Sequence, residues 1–211
     1  MRMRSRMDLK AGLLVLAACA TIAPVAQVAA RAQGEPQMTA EQKAAMAAWT
    51  KAMTPGKPHQ DLARQVGAWE GKVSMWDAPG AAPQISTTRA ERTMGLGGRV
   101  LLEHWQGTMM GMPFEGLGTA GYDNANGRYW STWSDNFSTG VMTSVGDCDP
   151  DPKRGCAFTA TAVDPMTGKE KKVRQTLAWP TPDDERMEMY DRGPDGKEWK
   201  SMEIVLRRAK P

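Results

Sequence analysis

From Trp69 to the C-terminus, turn residues recur about every ten to twelve positions, and apolar and polar side chains alternate between them. Few folds accept that pattern. It predicts strands near residues 68–77, 85–94, 98–108, 114–123, 127–137, 139–148, 156–163, 170–179, 184–191 and 196–208. The segments between them carry the chemistry of chain reversal. Asp123-Asn124-Ala125-Asn126-Gly127, Asp164-Pro165-Met166-Thr167-Gly168-Lys169 and Gly193-Pro194-Asp195-Gly196 each supply Gly with Asn, Asp or Pro. An open meander of this length leaves two unpaired edges liable to aggregate, and closure removes them. The expected fold class is all-β: an antiparallel up-and-down β-barrel of about ten strands.

Two short helices are expected before the barrel. Thr39 and Gln42 form a capping box, and Met46, Trp49 and Met53 recur at helical spacing. A helix over 39–53 is expected to pack against or across one end of the barrel, with a partner-binding arm as the alternative. Thr54-Pro55-Gly56 stops it, and residues 59–66 read as a second helix leading into Trp69.

Export is expected from the first residues. Arg2, Arg4, Arg6 and Lys10 precede the apolar stretch Leu13–Ala23, and Ala30-Arg31-Ala32 is an A-x-A cleavage site. Leu16-Ala17-Ala18-Cys19 resembles a lipobox, so a lipid anchor through Cys19 is the alternative to a free periplasmic protein. The expected organisation is a signal peptide over 1–32, a linker and helix over 33–58, and a barrel domain over 59–208. Removing 1–32 takes away five basic groups and one acid and moves the formal charge from +3 to −1. The remainder has no Lys/Arg stripe, so neither nucleic acid nor an anionic membrane surface is expected as a partner, and no transmembrane segment is expected in the mature chain. Oligomeric state is not legible.

Cleavage at Ala32 leaves Cys148 and Cys156, an even pair expected to form a disulfide in an oxidising compartment. A metal or redox pair is the rival reading, though the spacing is not C-x-x-C and no His is adjacent.

Several blocks together resemble a known family. Thr54-Pro55-Gly56 with His59, Gly67-Ala68-Trp69, Gly97-Gly98-Arg99, Gly111-Met112-Pro113-Phe114-Glu115-Gly116 through Gly121-Tyr122-Asp123, Tyr129–Asp135, Asp164–Lys169 and Asp195-Gly196-Lys197 look like the bacterial domain of unknown function 1579 family. The likeness runs over roughly residues 46–208 and implies a domain without implying an active site. A short helix feeding Gly-x-Trp at the first strand, with a basic residue near the end of the last, also resembles the calycin superfamily of lipocalins, fatty-acid-binding proteins and nitrobindins. That resemblance implies Trp69 under the barrel floor with Arg207 or Arg208 on its ring.

Alternation nominates the interior. Tyr129, Ser131, Trp133 and Asp135 share one strand face, and Glu103 and Trp105 share one with Leu101, opposite Leu102, His104 and Gln106. Aromatic bulk with a few polar groups is what a small-molecule pocket requires, so these six are the candidate ligand contacts. The competing reading is a filled barrel, in which Ser131, Asp135 and Glu103 merely satisfy buried Trp and Tyr groups.

His59 and His104 invite a haem or metal reading, and the sixteen methionines a copper one, but capping and packing roles are commoner for both. No cofactor and no metal are expected. Asp147, Asp149 and Asp151 mimic an EF-hand opening, but Pro152 replaces its Gly and Phe158 its closing Glu. There is no G-x-S-x-G, H-E-x-x-H or C-x-x-C. Catalysis is not expected, although Asp135, Glu103 or Glu115 with His104 remains a possible hydrolytic set. The expected function is binding of a small, partly apolar ligand in the cell envelope. An interaction module with a filled barrel and a barrel enzyme are the alternatives.

Overall fold

The computed structural model describes residues 38–210. The leader, the A-x-A site and Cys19 lie outside the described residues. The chain forms α1 (Ala40–Met53) and α2 (Lys57–Ala63), then β1 (Gly67–Met75), β2 (Gln84–Gly95), β3 (Val100–Met109), β4 (Met112–Asp123) and β5 (Arg128–Asp135). It continues through β6 (Met142–Cys148), β7 (Cys156–Val163), β8 (Glu170–Thr181), β9 (Asp184–Arg192) and β10 (Glu198–Arg208). Every expected strand is present, with boundaries moved by a few residues at most. Each strand pairs antiparallel with its neighbours in sequence, and β1 pairs with β10 to close the barrel.

The turns form where the local chemistry asked for them. Gly127 (φ +72°) and Gly168 (φ +66°) take the left-handed conformation. Their N–H groups close the reversals on Asp123 O and Asp164 O, both at 2.8 Å. Cys148 and Cys156 face each other across the β6–β7 pair and are disulfide-bonded.

The two helices behave differently. In α2, His59 and Leu62 are buried and the helix lies against β3 and β4. The His59 ring accepts the Gly56 N–H through Nδ1 at 3.1 Å and meets the Tyr122 ring edge-on, 6.0 Å between centroids. The carbonyls after α2 are also satisfied: Trp69 Nε1 donates to Gln65 O at 2.8 Å, and Arg208 donates to Val66 O at 2.6 Å and Arg64 O at 2.8 Å.

The expected packing of α1 across the barrel end does not occur. None of its residues is buried, and Met46, Trp49 and Met53 are exposed. α2 already sits against the barrel beside it. α1 is instead tethered at its C-terminus, where Arg99 Nη2 donates to Met53 O at 2.7 Å and Asn124 Nδ2 to Thr54 O at 2.7 Å. No helix among the described residues is long and apolar enough to cross a membrane.

The core lies where β9, β10 and β1–β3 meet. Trp69, Ala90, Trp105, Ile204 and Leu206 pack together, backed by Val73, Phe114, Trp133, Met187 and Met202. Strand pairing places Trp69, Ala90 and Trp105 side by side on one face.

Candidate functional site

The barrel is not filled. Its interior forms a partly open cavity of about 1430 Å³, larger than the roughly 300–1,000 Å³ of a common small-molecule site. Glu103, Trp105, Tyr129, Ser131, Trp133 and Asp135 all line it. The register explains why. Glu103 pairs with Gly118 and Gly118 with Trp133; Trp105 pairs with Gly116 and Gly116 with Asp135. Antiparallel partners project to the same side, so these rows share the interior face.

Glycine makes room in those rows. A side chain at Gly116 would run into the Trp133 ring, which lies over the bare backbone there. The Trp133 ring stacks with Phe114 at 6.2 Å and meets Trp105 edge-on at 5.8 Å. These three rings form an aromatic wall. Met187, Met189 and Met202 line other parts of the cavity, where an unbranched thioether can adapt to an irregular surface.

At the α2 end of the packed side stands an ion triad. Arg92 is 3% exposed and donates through Nη1 and Nη2 to Glu185 at 2.6 and 2.8 Å. Its Nε donates to Glu103 at 2.8 Å. Trp179 Nε1 donates to Glu185 at 3.0 Å, and Trp105 Nε1 to Glu103 at 3.3 Å. The guanidinium also lies 5.3 Å from the ring centroids of both Trp69 and Trp105. Burial lowers the pKa of Arg92, but the Glu185 and Glu103 charges outweigh it and the net direction is upward. Arg92 therefore remains a cation, and two carboxylates surround it.

The second guanidinium on Trp69 is that of Arg208, 4.4 Å from the ring. This corrects the candidate structural role of Arg207. Trp69 pairs with Arg208 in the β1–β10 register, so Arg207 points outward, where it bonds Asp184 at 3.0 Å and is largely exposed. Arg208 is fixed by Asp183 at 3.1 Å and by the carbonyls after α2.

The opposite wall is richer in hydroxyl and amide groups. Ser131 lines it, and Ser144 donates to Gln175 at 3.0 Å. Tyr129 packs edge-on against Tyr122 at 4.8 Å. Its phenol is pushed up to about 12, first by burial, then by the charge of Asp61 on α2 and by Tyr122. Asp135 accepts from Trp133 Nε1 at 2.8 Å and from the Phe137 N–H at 3.0 Å. Glu103 and Asp135 thus do satisfy a buried and a half-buried indole, as the filled-barrel reading required, while facing open space.

Of the hydrolytic pairings considered from sequence, His104 with Glu115 is brought together, whereas His104 with Glu103 or Asp135 is not. His104 and Glu115 bond each other at 2.7 Å, but both are exposed on the outer face. Glu103 and Asp135 lie inside, and the barrel wall separates the pairs, because consecutive strand residues face opposite ways.

Sequence reasoning missed Arg92 and Glu185. Counting outward from the Gly97-Gly98 turn places Arg92 opposite Glu103, so that half of the triad carried a signal. Glu185 sits 93 residues from Arg92, and no turn relates them.

In sequence, the family described as protein of unknown function (DUF1579) matches residues 54–208. No curated protein matches the chain. Among solved structures it is similar to Rv2717c from M. tuberculosis, with a TM-score of 0.55 and 15% identity over 74% of this chain and 100% of that one. It also resembles the S-type phycobiliprotein lyase CPES from Guillardia theta, with a TM-score of 0.49 and 12% identity over 77% of this chain and 97% of that one. The likeness to the first is one of fold alone. The second adds nothing to it.

Proposed function

The chain belongs to the family described as protein of unknown function (DUF1579), and from the interior of its barrel we infer that it binds a small, partly apolar molecule in the cell envelope. The cavity of about 1430 Å³ carries this reading. A barrel serving only as a rigid module gains from a filled interior, because every void forfeits packing contacts. Here Gly118 withholds a side chain from the inner face, and Ser131 places a small polar one there. Glu103, Trp105, Tyr129, Ser131, Trp133 and Asp135 are the proposed contacts: rings for the apolar body, polar groups for orientation.

An envelope location is supported by the Cys148–Cys156 bridge, which suits an oxidising compartment. The basic and apolar leader of the sequence points the same way. The open interior weighs against the filled-barrel alternative, and the exposure of the His104–Glu115 pair weighs against the enzyme alternative.

The test is native mass spectrometry, beside a denatured spectrum, on protein from the envelope fraction of its own host. The expected result is a mass excess that disappears on denaturation. A bare native mass, together with failure to bind neutral apolar dyes, would defeat the reading. The same spectra report cleavage after Ala32 or a diacylglycerol-sized covalent excess on Cys19.

A further inference from the structure

Resting on the reading that the cavity holds a ligand, we propose that its occupant is an amphiphile whose head donates hydrogen bonds, an ammonium best and a hydroxyl next, and that anionic amphiphiles are excluded. The two guanidinium groups on the packed side of the cavity are already allocated. Arg92 spends three N–H groups on two carboxylates, including the two-point contact with Glu185 at 2.6 and 2.8 Å. Arg208 is committed to Asp183 and to the carbonyls of Arg64 and Val66. A ligand carboxylate would have to displace one of these partners, and it would enter beside a triad that holds two negative charges against one positive.

The free valence has the opposite polarity. Glu103 is 17% exposed, and that exposure lies on the inner face of the barrel. Its Oε2 accepts from Arg92 and Trp105, whereas no hydrogen bond to Oε1 is found among the described residues. Oε1 lies beside Gly118, where even a methyl group would come within 3.3 Å of it. The missing side chain leaves an approach to that oxygen. A donor arriving there gains a charge-assisted hydrogen bond, and a cationic donor also offsets the excess charge of the triad. The neighbouring indole of Trp105 and the aromatic wall supply surfaces compatible with both an alkyl body and a cation.

The experiment is displacement of the neutral dye N-phenyl-1-naphthylamine from the purified protein by dodecylamine, 1-dodecanol and dodecanoate, below micelle formation and at neutral pH and physiological salt. Dodecylamine is expected to bind about tenfold more tightly than dodecanoate, with dodecanol between them. Glu103→Gln keeps an acceptor for Arg92 and should shrink the amine preference by about fivefold or more. Glu70→Gln, on the outer face of β1, should leave it unchanged. Dodecanoate binding as tightly as the amine would overturn the proposal, as would an equal loss of preference in Glu70→Gln. If the dye binds but none of the three chains displaces it, the proposal fails while the cavity reading stands. If the dye does not bind either, the cavity reading fails and this one with it. Should Glu103→Gln not fold, the ranking by the unaltered protein decides.

Discussion

Where β9, β10 and β1–β3 meet, Trp69, Ala90, Trp105, Ile204 and Leu206 pack almost without exposure, whereas along β5 no residue is fully buried and the inward side chains are Tyr129, Ser131, Trp133 and Asp135. Both sides belong to one sheet and share one hydrogen-bonding pattern. The packed side carries the long helix-to-strand ties, Trp69 to Gln65 and Arg208 to Arg64 and Val66, together with the buried triad. The open side carries small hydroxyls. One half of the barrel holds the fold, and the other leaves room beside it.

Mutation of the triad should have the largest effect. Arg92→Met removes the cation that bridges Glu103 and Glu185, and urea unfolding is expected to show a loss of about 3–5 kcal/mol. Replacing all three with Met, Gln and Gln should recover most of it, since uncharged groups need no counter-charge. A loss below about 1 kcal/mol for Arg92→Met would mean that the packed side does not depend on its ion pair, and the contrast between the sides would collapse.

The disulfide tests the open side. Replacing Cys148 and Cys156 with Ala frees a loop with a sequence separation of 8, worth about 2–3 kcal/mol by loop closure. Trp179 N–H bonds Pro152 O at 3.1 Å, and residues Asp149–Lys153 line the cavity. The double variant should therefore become sensitive to protease between 149 and 155 before the barrel unfolds. Simultaneous loss of the whole barrel would show that this side is as cooperative as the other.

The contrast also explains what the sequence could disclose. Period-two alternation and Gly-Asn-Asp turns are local, and they specified ten strands, closure and the inward face of β3 and β5. Trp69 was legible because Gly-x-Trp is contiguous. Its partner was ambiguous between Arg207 and Arg208, and one residue of strand register, absent from any local signal, decides it in favour of Arg208. Glu185 was illegible because an inward charge is intelligible only with its counter-ion, and Arg92 lies 93 residues away. The void was undecidable for a similar reason. Trp133 over Gly116 closes a local gap without filling the barrel, and that balance depends on strands that meet only in three dimensions.

A smaller effect is expected from the hydroxyl wall. Ser144→Ala removes the donor to Gln175 Oε1, now at 3.0 Å, and should cost no more than about 1 kcal/mol, because the cavity beside it can admit a solvent donor. A cost of about 3 kcal/mol would indicate a dry, tightly packed site.

Tyr129→Phe should leave neutral stability almost unchanged and alter only the alkaline limb. The folded phenol titrates at about 12 against an ordinary 10.0, chiefly because burial disfavours the phenolate, with Asp61 and Tyr122 adding to the shift. Between those values the unfolded chain releases a proton that the folded chain keeps. The contribution is therefore fully present below pH 10 and lost as pH rises towards 12. In the Phe variant that part of the decline should vanish from denaturation curves taken across the same range, and one late-titrating phenol should disappear from the ultraviolet titration. If Tyr129 instead ionises like an exposed phenol, water reaches that wall freely, and the burial assigned to the Tyr129 ring is wrong.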